Sequence, residues 1–341
     1  LWRDTARFLL PAAERFEVGG PPHAATMDNC GTMAVGVLAA GMMSHNTSPA
    51  RPWFKLATPD PEMANHPPIQ RWLDECATRM HTVFQRSNTY RVLHTMYRDL
   101  AVYGTACSIV VPDRDTVIHL LPQRIGGYCL AADWTGTVDT IYREFKVPVH
   151  ALVQEFGLKA CTPHVQDKFR NGDLDIMVDV VHVIEPRRVR DIDSPRGDQM
   201  PWRSVYYEAS ADHSLVLREG GFERFTALCP RWHAAPGEVY GSGPGFVAIG
   251  DVQQLQVEQL RKSQGIDYMT NPPLQAPLSM MHRETNMAPG GITFVDEIGP
   301  QASVRSMFDV RLDLSHLLMD IQDVRQRIKS VTTQDGIRVL Q

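Results

Sequence analysis

No Cys-x-x-Cys pair occurs in this chain of 341 residues, and its six cysteines, Cys30, Cys76, Cys107, Cys129, Cys161 and Cys229, lie tens of residues apart. That spacing argues against a disulfide framework or a zinc cluster and reads as the reduced thiols of a cytosolic protein. Long apolar runs are missing too. The longest, Met33 to Met43, is broken by Gly36 and Gly41 and is too short to cross a bilayer, so a buried helix and no membrane are expected. No basic-then-apolar signal segment follows Leu1. Positive charge is in short supply: 34 Lys+Arg stand against 39 Asp+Glu, a formal charge of −5, the wrong sign for a surface that grips phosphate backbones broadly. Catalytic signatures are equally scarce. The 13 histidines form no His-Glu-x-x-His, the acidic residues are scattered, and no pair stands out as acid and base. Tyr240 takes the first position of a would-be Gly-x-Ser-x-Gly elbow at Ser242. Cys229 and His233 are separated by Pro230 and Trp232 and read as a packed corner. No enzyme, metal or cofactor is expected.

What is present suits a folded chain with a sizeable core: 43% hydrophobic, 21% charged and 8% aromatic residues. The length suggests two domains, or one with a long insertion. The fold class reads as α+β. Up to residue 106 the periodicity is helical, with one helix up to Pro11, one over Ile69 to Phe84 after Pro67-Pro68, and one over Tyr90 to Leu100. The stretch Ser48 to Phe54 is punctuated by prolines and reads as a rigid connector whose Trp53 and Phe54 pack. From 107 to 235, short β-branched and aromatic runs predict a mixed or antiparallel sheet: Ser108 to Val111, Thr116 to Leu121, Asp139 to Phe145, Ile176 to Ile184, Ser204 to Glu208 and Leu215 to Arg218. His182, inside one of these runs, reads as a hydrogen-bonded sheet residue rather than a ligand.

After Gly243 the chain turns helical. Pro244 suits a first turn, Phe246, Ile249, Val252, Leu255 and Leu260 carry an apolar stripe, and Asn271-Pro272-Pro273 stops it. A Pro- and Gly-punctuated excursion follows. A second helix then carries Val310, Leu314, Leu317, Ile321, Val324, Ile328 and Val331 at alternating steps of four and three. Two readings stay open for this pair: a helical hairpin inside one domain, or helices packed side by side in an assembly. The glutamine and charge on the first helix (Gln253, Gln254, Gln256, Glu258, Gln259, Arg261, Lys262) favour the assembly. On the second, Asp309 and Asp313 open the helix and Arg325, Arg327 and Lys329 close it, which matches the helix dipole. The glycine loop Gly241 to Gly245 invites a phosphate-cradle reading, hence a soluble nucleotide- or phosphate-binding enzyme. It matches neither glycine-rich fingerprint and reads better as a loop-to-helix hinge.

Taken in order, several segments resemble the head-to-tail connector (portal) proteins of short-tailed bacteriophages. They are Leu38-Ala39-Ala40-Gly41-Met42, Thr47 to Phe54, Trp72-Leu73-Asp74, Ser87-Asn88, Asp99-Leu100, Tyr103-Gly104-Thr105-Ala106, Leu217 to Phe222, Pro230-Arg231-Trp232 and Tyr240 to Gly245. The resemblance runs from about residue 35 to about residue 330. It implies a wing over 1–243, stem helices over 244–270 and 309–331, a clip over 271–308, and at 332–341 the start of a tunnel loop or following segment, with the crown of the family absent from this chain. It further implies a homo-oligomeric ring of about twelve subunits at one capsid vertex of the virion, assembled in the bacterial host cytoplasm. Double-stranded DNA passes through the ring during packaging and ejection. The implied partners are terminase, tail or adaptor proteins, and the major capsid and scaffolding proteins. A neck or tail adaptor ring is the structural alternative.

Simple geometry is compatible with a conduit, since about twelve helices set ~10 Å apart around a circle leave a bore of about 28 Å once side chains are subtracted. An acidic chain then makes sense, because a channel that bound DNA through many counterion-releasing contacts would stall it. The expected channel positions are Gln322, Arg325, Arg327 and Lys329. Stem packing between subunits is expected at Leu255, Gln259, Leu260, Leu314, Leu317, Ile321, Val324 and Ile328. Clip contacts to terminase or tail are expected at Met280, Met281, His282 and Arg283.

Overall fold

The computed structural model describes residues 2–11, 26–60, 63, 66–191, 196–209, 215–270, 274–275, 305–306 and 315–340, with backbone only at 274–275, 305–306 and 333–340. The described residues open with helices α1 (Trp2–Leu9), α2 (Cys30–Asn46), α3 (Pro67–Arg86) and α4 (Thr89–Tyr103). Helix α2 contains no Asp, Glu, Lys or Arg, and buries Ala34, Val35, Leu38, Ala39 and Met42. Proline at the start of α3 costs no intrahelical hydrogen bond. Before α3, the connector packs Trp53 and Phe54 with ring centroids 4.8 Å apart, and Phe54 stacks on His81 at 4.3 Å. Helix α4 ends on Gly104 at φ 70, a left-handed cap that residues with a Cβ rarely adopt.

The middle of the chain is antiparallel throughout. A small sheet has the order β2-β1-β8, built from β1 (Cys107–Asp113), β2 (Val117–Gln123) and β8 (Ala227–Leu228). A five-stranded sheet runs β3-β4-β5-β6-β7, formed by β3 (Tyr128–Ala132), β4 (Val138–Pro148), β5 (Met177–Pro186), β6 (Trp202–Glu208) and β7 (Val216–Phe222). Strands β3 and β8 were not expected from the sequence, nor were the short helices α5 (Val149–Phe156) and α6 (Pro163–Asn171). For α6 the reason is a cap. Thr162 caps α6 by accepting from the Val165 N–H at 3.4 Å, while its own N–H and hydroxyl bond the buried Glu208 carboxylate on β6.

Helix α7 (Pro244–Thr270) and helix α8 (Ser315–Leu340) complete the fold, with a short antiparallel ladder of β9 (Leu274–Gln275) and β10 (Arg305–Ser306) beyond the end of α7. The main core gathers Leu9 of α1, Val35 and Leu38 of α2, Val102 of α4, Val252 and Leu255 of α7, and Ile321, Val324 and Ile328 of α8. It continues into the sheets through Ile109 and Ile141. Five helices and both sheets therefore share one interior. Helix α8 does not end near Val331. It runs on to Leu340, through the residues expected to begin a loop. The Thr332 hydroxyl, which could have competed with the helix, instead donates back to the Lys329 carbonyl at 2.9 Å.

Candidate functional site

Helices α7 and α8 carry most of the residues expected at the stem. Leu255, Ile321, Val324 and Ile328 are at most 2% exposed within a single chain. This corrects the expectation that they pack between copies: α1, α2 and α4 already cover the seam, and no surface of these four is left for a neighbour. Leu317 is partly buried against the same core, whereas Leu260 remains 40% exposed. Leu314 lies outside the described residues, as do Met280, Met281, His282 and Arg283, Asp309, Asp313 and most of the expected clip.

Of the glutamines of α7 that had suggested packing against other subunits, Gln254, Gln256 and Gln259 bond within the chain. Gln256 Oε1 accepts from the Met27 N–H at 2.8 Å and the Asp28 N–H at 3.1 Å, while its Nε2 donates to the Asp28 carbonyl at 2.8 Å. Gln259 Nε2 donates to Asp28 Oδ2 at 3.2 Å. Asp28 is thus a hub that sequence reasoning missed. Its carboxylate is almost fully buried, accepts from the Cys30 N–H at the start of α2 through Oδ1 at 2.8 Å, and takes both Arg325 Nε (3.1 Å) and a terminal Arg325 nitrogen (2.6 Å) on Oδ2. One buried carboxylate ties α2, α7 and α8 together.

The four expected channel residues consequently separate. Arg325 is committed to Asp28. Arg327 pairs with Asp251 of α7 at 3.5 Å and with Asp323 at 3.4 Å, and its side chain is 46% exposed. Gln322 and Lys329 both lie on the exposed surface of α8. Because α8 continues for another turn and more, the three cations sit inside the helix rather than at its end, and for Arg325 and Arg327 specific carboxylate partners replace the dipole explanation. Nearby, Glu258 is 6% exposed and accepts from Gln254 Nε2 at 2.6 Å on one oxygen, while the other has no partner among the described residues.

The glycine loop has a structural use that excludes the phosphate cradle. A Cβ on Gly243 would lie 2.6 Å from the Leu100 carbonyl and 2.8 Å from the Gly104 nitrogen, and one on Gly245 would lie 2.5 Å from the Val102 carbonyl. A Cβ on Gly241 would meet the Gly104 carbonyl, and one on Gly104 would lie 2.5 Å from the Gly243 nitrogen. Two backbones are in direct contact, and only glycine permits it. Two of the loop's amides are also spent, Gly241 N–H donating to Thr105 Oγ1 at 2.8 Å and Ser242 N–H to the His233 carbonyl at 2.7 Å, and just beyond it Phe246 N–H donates to the Gly243 carbonyl at 3.0 Å. The start of α7 is therefore filled by the end of α4, with no room for an anion. Two of the segments that carried the family resemblance, Tyr103 to Ala106 and Tyr240 to Gly245, are the two halves of this corner. Beside it, Cys229 donates to Cys107 as a thiol, Sγ to Sγ 3.6 Å, so the packed-corner reading of Cys229 holds.

Among the described residues no cluster of His, Cys, Asp or Glu could hold a metal, and no helix is long and apolar enough to cross a membrane. Comparison with known proteins supplies what geometry alone does not. The family model described as Bacteriophage head to tail connecting protein matches residues 1–340. Over 334 residues the chain is 48% identical to the probable portal protein of Bordetella phage BPP-1, an alignment that takes in 96% of this chain and 60% of that protein. Over 346 residues it is 42% identical to the portal protein of Salmonella phage epsilon15, covering 100% of this chain and 62% of the relative. The chain therefore spans about three fifths of the length of these relatives, 60% and 62%. Among solved structures, one in the virion of a native gene transfer agent particle is similar at a TM-score of 0.42 and 9% identity, over 97% of this chain and 69% of that one, too distant to add weight. A family match across the whole chain, together with two relatives at 48% and 42% identity, establishes that the chain belongs to the bacteriophage head to tail connecting protein family.

Proposed function

We propose that this chain is the wing-and-stem part of a phage portal: a ring of about twelve copies at one capsid vertex that conducts double-stranded DNA during packaging and ejection and docks terminase and tail proteins. The observation that carries this reading is the high identity, over nearly the whole chain, to two proteins named as portals. It is a structural role without chemistry of its own, as the description of the matching family, a head to tail connecting protein, suggests. Helices α7 and α8 are the stem, with β9 and β10 at the base of the clip. Other partners are the major capsid and scaffolding proteins, assembly takes place in the host cytoplasm, and the names of the two relatives favour a portal over an adaptor ring.

Contacts between copies then fall on faces that the single chain leaves open. The outer side of α2 presents Met33 and Val37 at 70% and 73% exposure, and α7 presents Val247 at 66% and Leu260 at 40%. A helix that is apolar on all sides is ordinarily covered on all sides. The exposed channel candidates are Gln322 and Lys329. Native mass measurement and negative-stain imaging of the purified protein test the reading: closed rings with a central hole support it, and a monomer that stays monodisperse under assembly conditions overturns it.

A further inference from the structure

Four side chains stand in register across the five-stranded sheet: Arg143 on β4 faces His182 on β5, His182 faces Tyr206 on β6, and Tyr206 faces Arg218 on β7. Directly opposed residues of an antiparallel sheet project from the same face. Arg143, Tyr206 and Arg218 line a cavity of about 820 Å³, which Phe145, Phe156 and Phe222 help to wall.

The row is rigid and its charges can be assigned. Arg143 Nε–H donates to His182 Nδ1 at 2.9 Å, so the other ring nitrogen of His182 carries the proton that bonds Ser204 Oγ, also at 2.9 Å. The His182 ring stacks on Tyr206 with centroids 3.8 Å apart and planes 5° off parallel. Burial first, and then the charges of Arg143 and Arg218, push the imidazole pKa down to about 3, so it is neutral at physiological pH. Arg218 lies over Phe156 and Tyr206 and is neutralised by Glu155 at 2.8 Å. Arg143 is different. It stacks on Phe145 at 4.6 Å, its other hydrogen bond is a long one to Gln123 at 3.5 Å, and it makes no ion pair among the described residues.

The cavity therefore presents one uncompensated guanidinium among aromatic walls. A half-desolvated guanidinium is a strong and directional partner for a carboxylate. A doubly charged phosphate would exceed the available positive charge and face Glu155. A volume of about 820 Å³ exceeds what a lone carboxylate fills and is in the range of sites that enclose several side-chain-sized groups. We propose that this cavity is a docking site for an acidic peptide segment of a partner protein, with one Asp or Glu carboxylate on Arg143 and a neighbouring apolar side chain against Phe145 and Phe222. The rigid hydrogen-bonded row means that little has to be ordered on binding. This inference does not depend on the portal reading, since it concerns a cavity formed within one chain.

The test uses the full chain and two dye-labelled peptides, acetyl-Ser-Phe-Glu-Phe-Ser-amide and the same peptide with Gln in place of Glu, followed by fluorescence anisotropy. The acidic peptide is expected to bind about tenfold tighter than its amide counterpart, to lose that preference in Arg143→Gln, and to keep part of it in Arg143→Lys. Near-UV circular dichroism establishes that each variant is folded. If Arg143→Gln does not fold, Phe222→Ser on the edge strand β7 replaces it and is expected to weaken both peptides. Equal binding of the two peptides to the unaltered protein, no binding of either, or a preference that survives Arg143→Gln overturns the proposal. So does displacement by benzoate at equal concentration, which would mark a site for small free carboxylates instead.

Discussion

Replacing Gly243 by alanine adds a methyl carbon 2.6 Å from the Leu100 carbonyl oxygen and 2.8 Å from the Gly104 nitrogen, both backbone atoms that cannot swing aside. Ordinary contact needs roughly another ångström, so the end of α4 and the start of α7 must separate. Separation also strains the bond from Gly241 N–H to Thr105 and the bond from Trp232 N–H to the Gly104 carbonyl at 2.9 Å. Overpacking of this kind costs about 3 kcal/mol where neighbours are rigid. Gly250, inside α7, is the control. A Cβ there meets nothing within 4 Å, and replacing an exposed helical glycine by alanine gains up to about 1 kcal/mol. Thermal and urea unfolding of the two variants should therefore move in opposite directions, with Gly243→Ala melting about 5 °C or more below the parent. If Gly243→Ala melts with the parent, the glycines are not there for backbone contact, and the case against a ligand in this loop falls with them.

Three further outcomes follow from the same contacts. Asp28→Ala leaves the partly exposed Arg325 unpaired and strands the Cys30 N–H, so it should cost about 2 kcal/mol, below the value for a fully buried pair because Arg325 still reaches water; a double-mutant cycle with Arg325→Ala that shows no coupling would refute the hub. His182 has a folded pKa of about 3 against an ordinary 6.5, so as pH falls through 6.5 the unfolded chain takes up a proton that the fold refuses, and stability drops by up to ~1.4 kcal/mol per pH unit. Asp99 acts in the opposite sense, because burial raises its carboxyl to about 7 and stability is lost as pH rises towards that value; the His182 contribution is therefore read as the difference in urea midpoint between the parent and His182→Asn, and an identical pH dependence in both would rule it out. Combined Gln322→Ala and Lys329→Ala should alter the length of genome packaged, and normal packaging by intact rings would remove these residues from the channel.

The helices and most strands were legible because burial is periodic. Pro11, Pro67-Pro68 and Pro244 bounded helices where expected, and the step of four and three from Leu317 to Val331 is the buried or half-buried side of α8. Strands β3 and β8 escaped notice because they are short, and β8 also owes its pairing to the distant Ser108 and Ile109. The end of α8 was misplaced because Thr332, Thr333 and Gly336 are poor helix formers, whereas helix continuity is decided by backbone hydrogen bonding and by what the helix rests on.

The site divides in the same way. The spacing of Gly241, Gly243 and Gly245 was visible as a pattern, and no pattern could tell an anion from a second backbone as the reason for it. Leu255, Ile321, Val324 and Ile328 were recognised as a seam, but a seam within one chain and a seam between chains have the same periodicity. Only the placement of α1, α2 and α4 against α7 and α8 decided it. Asp28 carries no signal at all, since a lone aspartate before a helix looks like any cap, and its role depends on Gln259 and Arg325, more than two hundred residues away. By itself the sequence determined the classes of element, the family, and the absence of broad positive charge, all of which follow from local periodicity, ordered short motifs and composition. The tertiary structure decided which faces are spent inside the chain and which remain for partners, because burial and pairing depend on what long-range packing brings together.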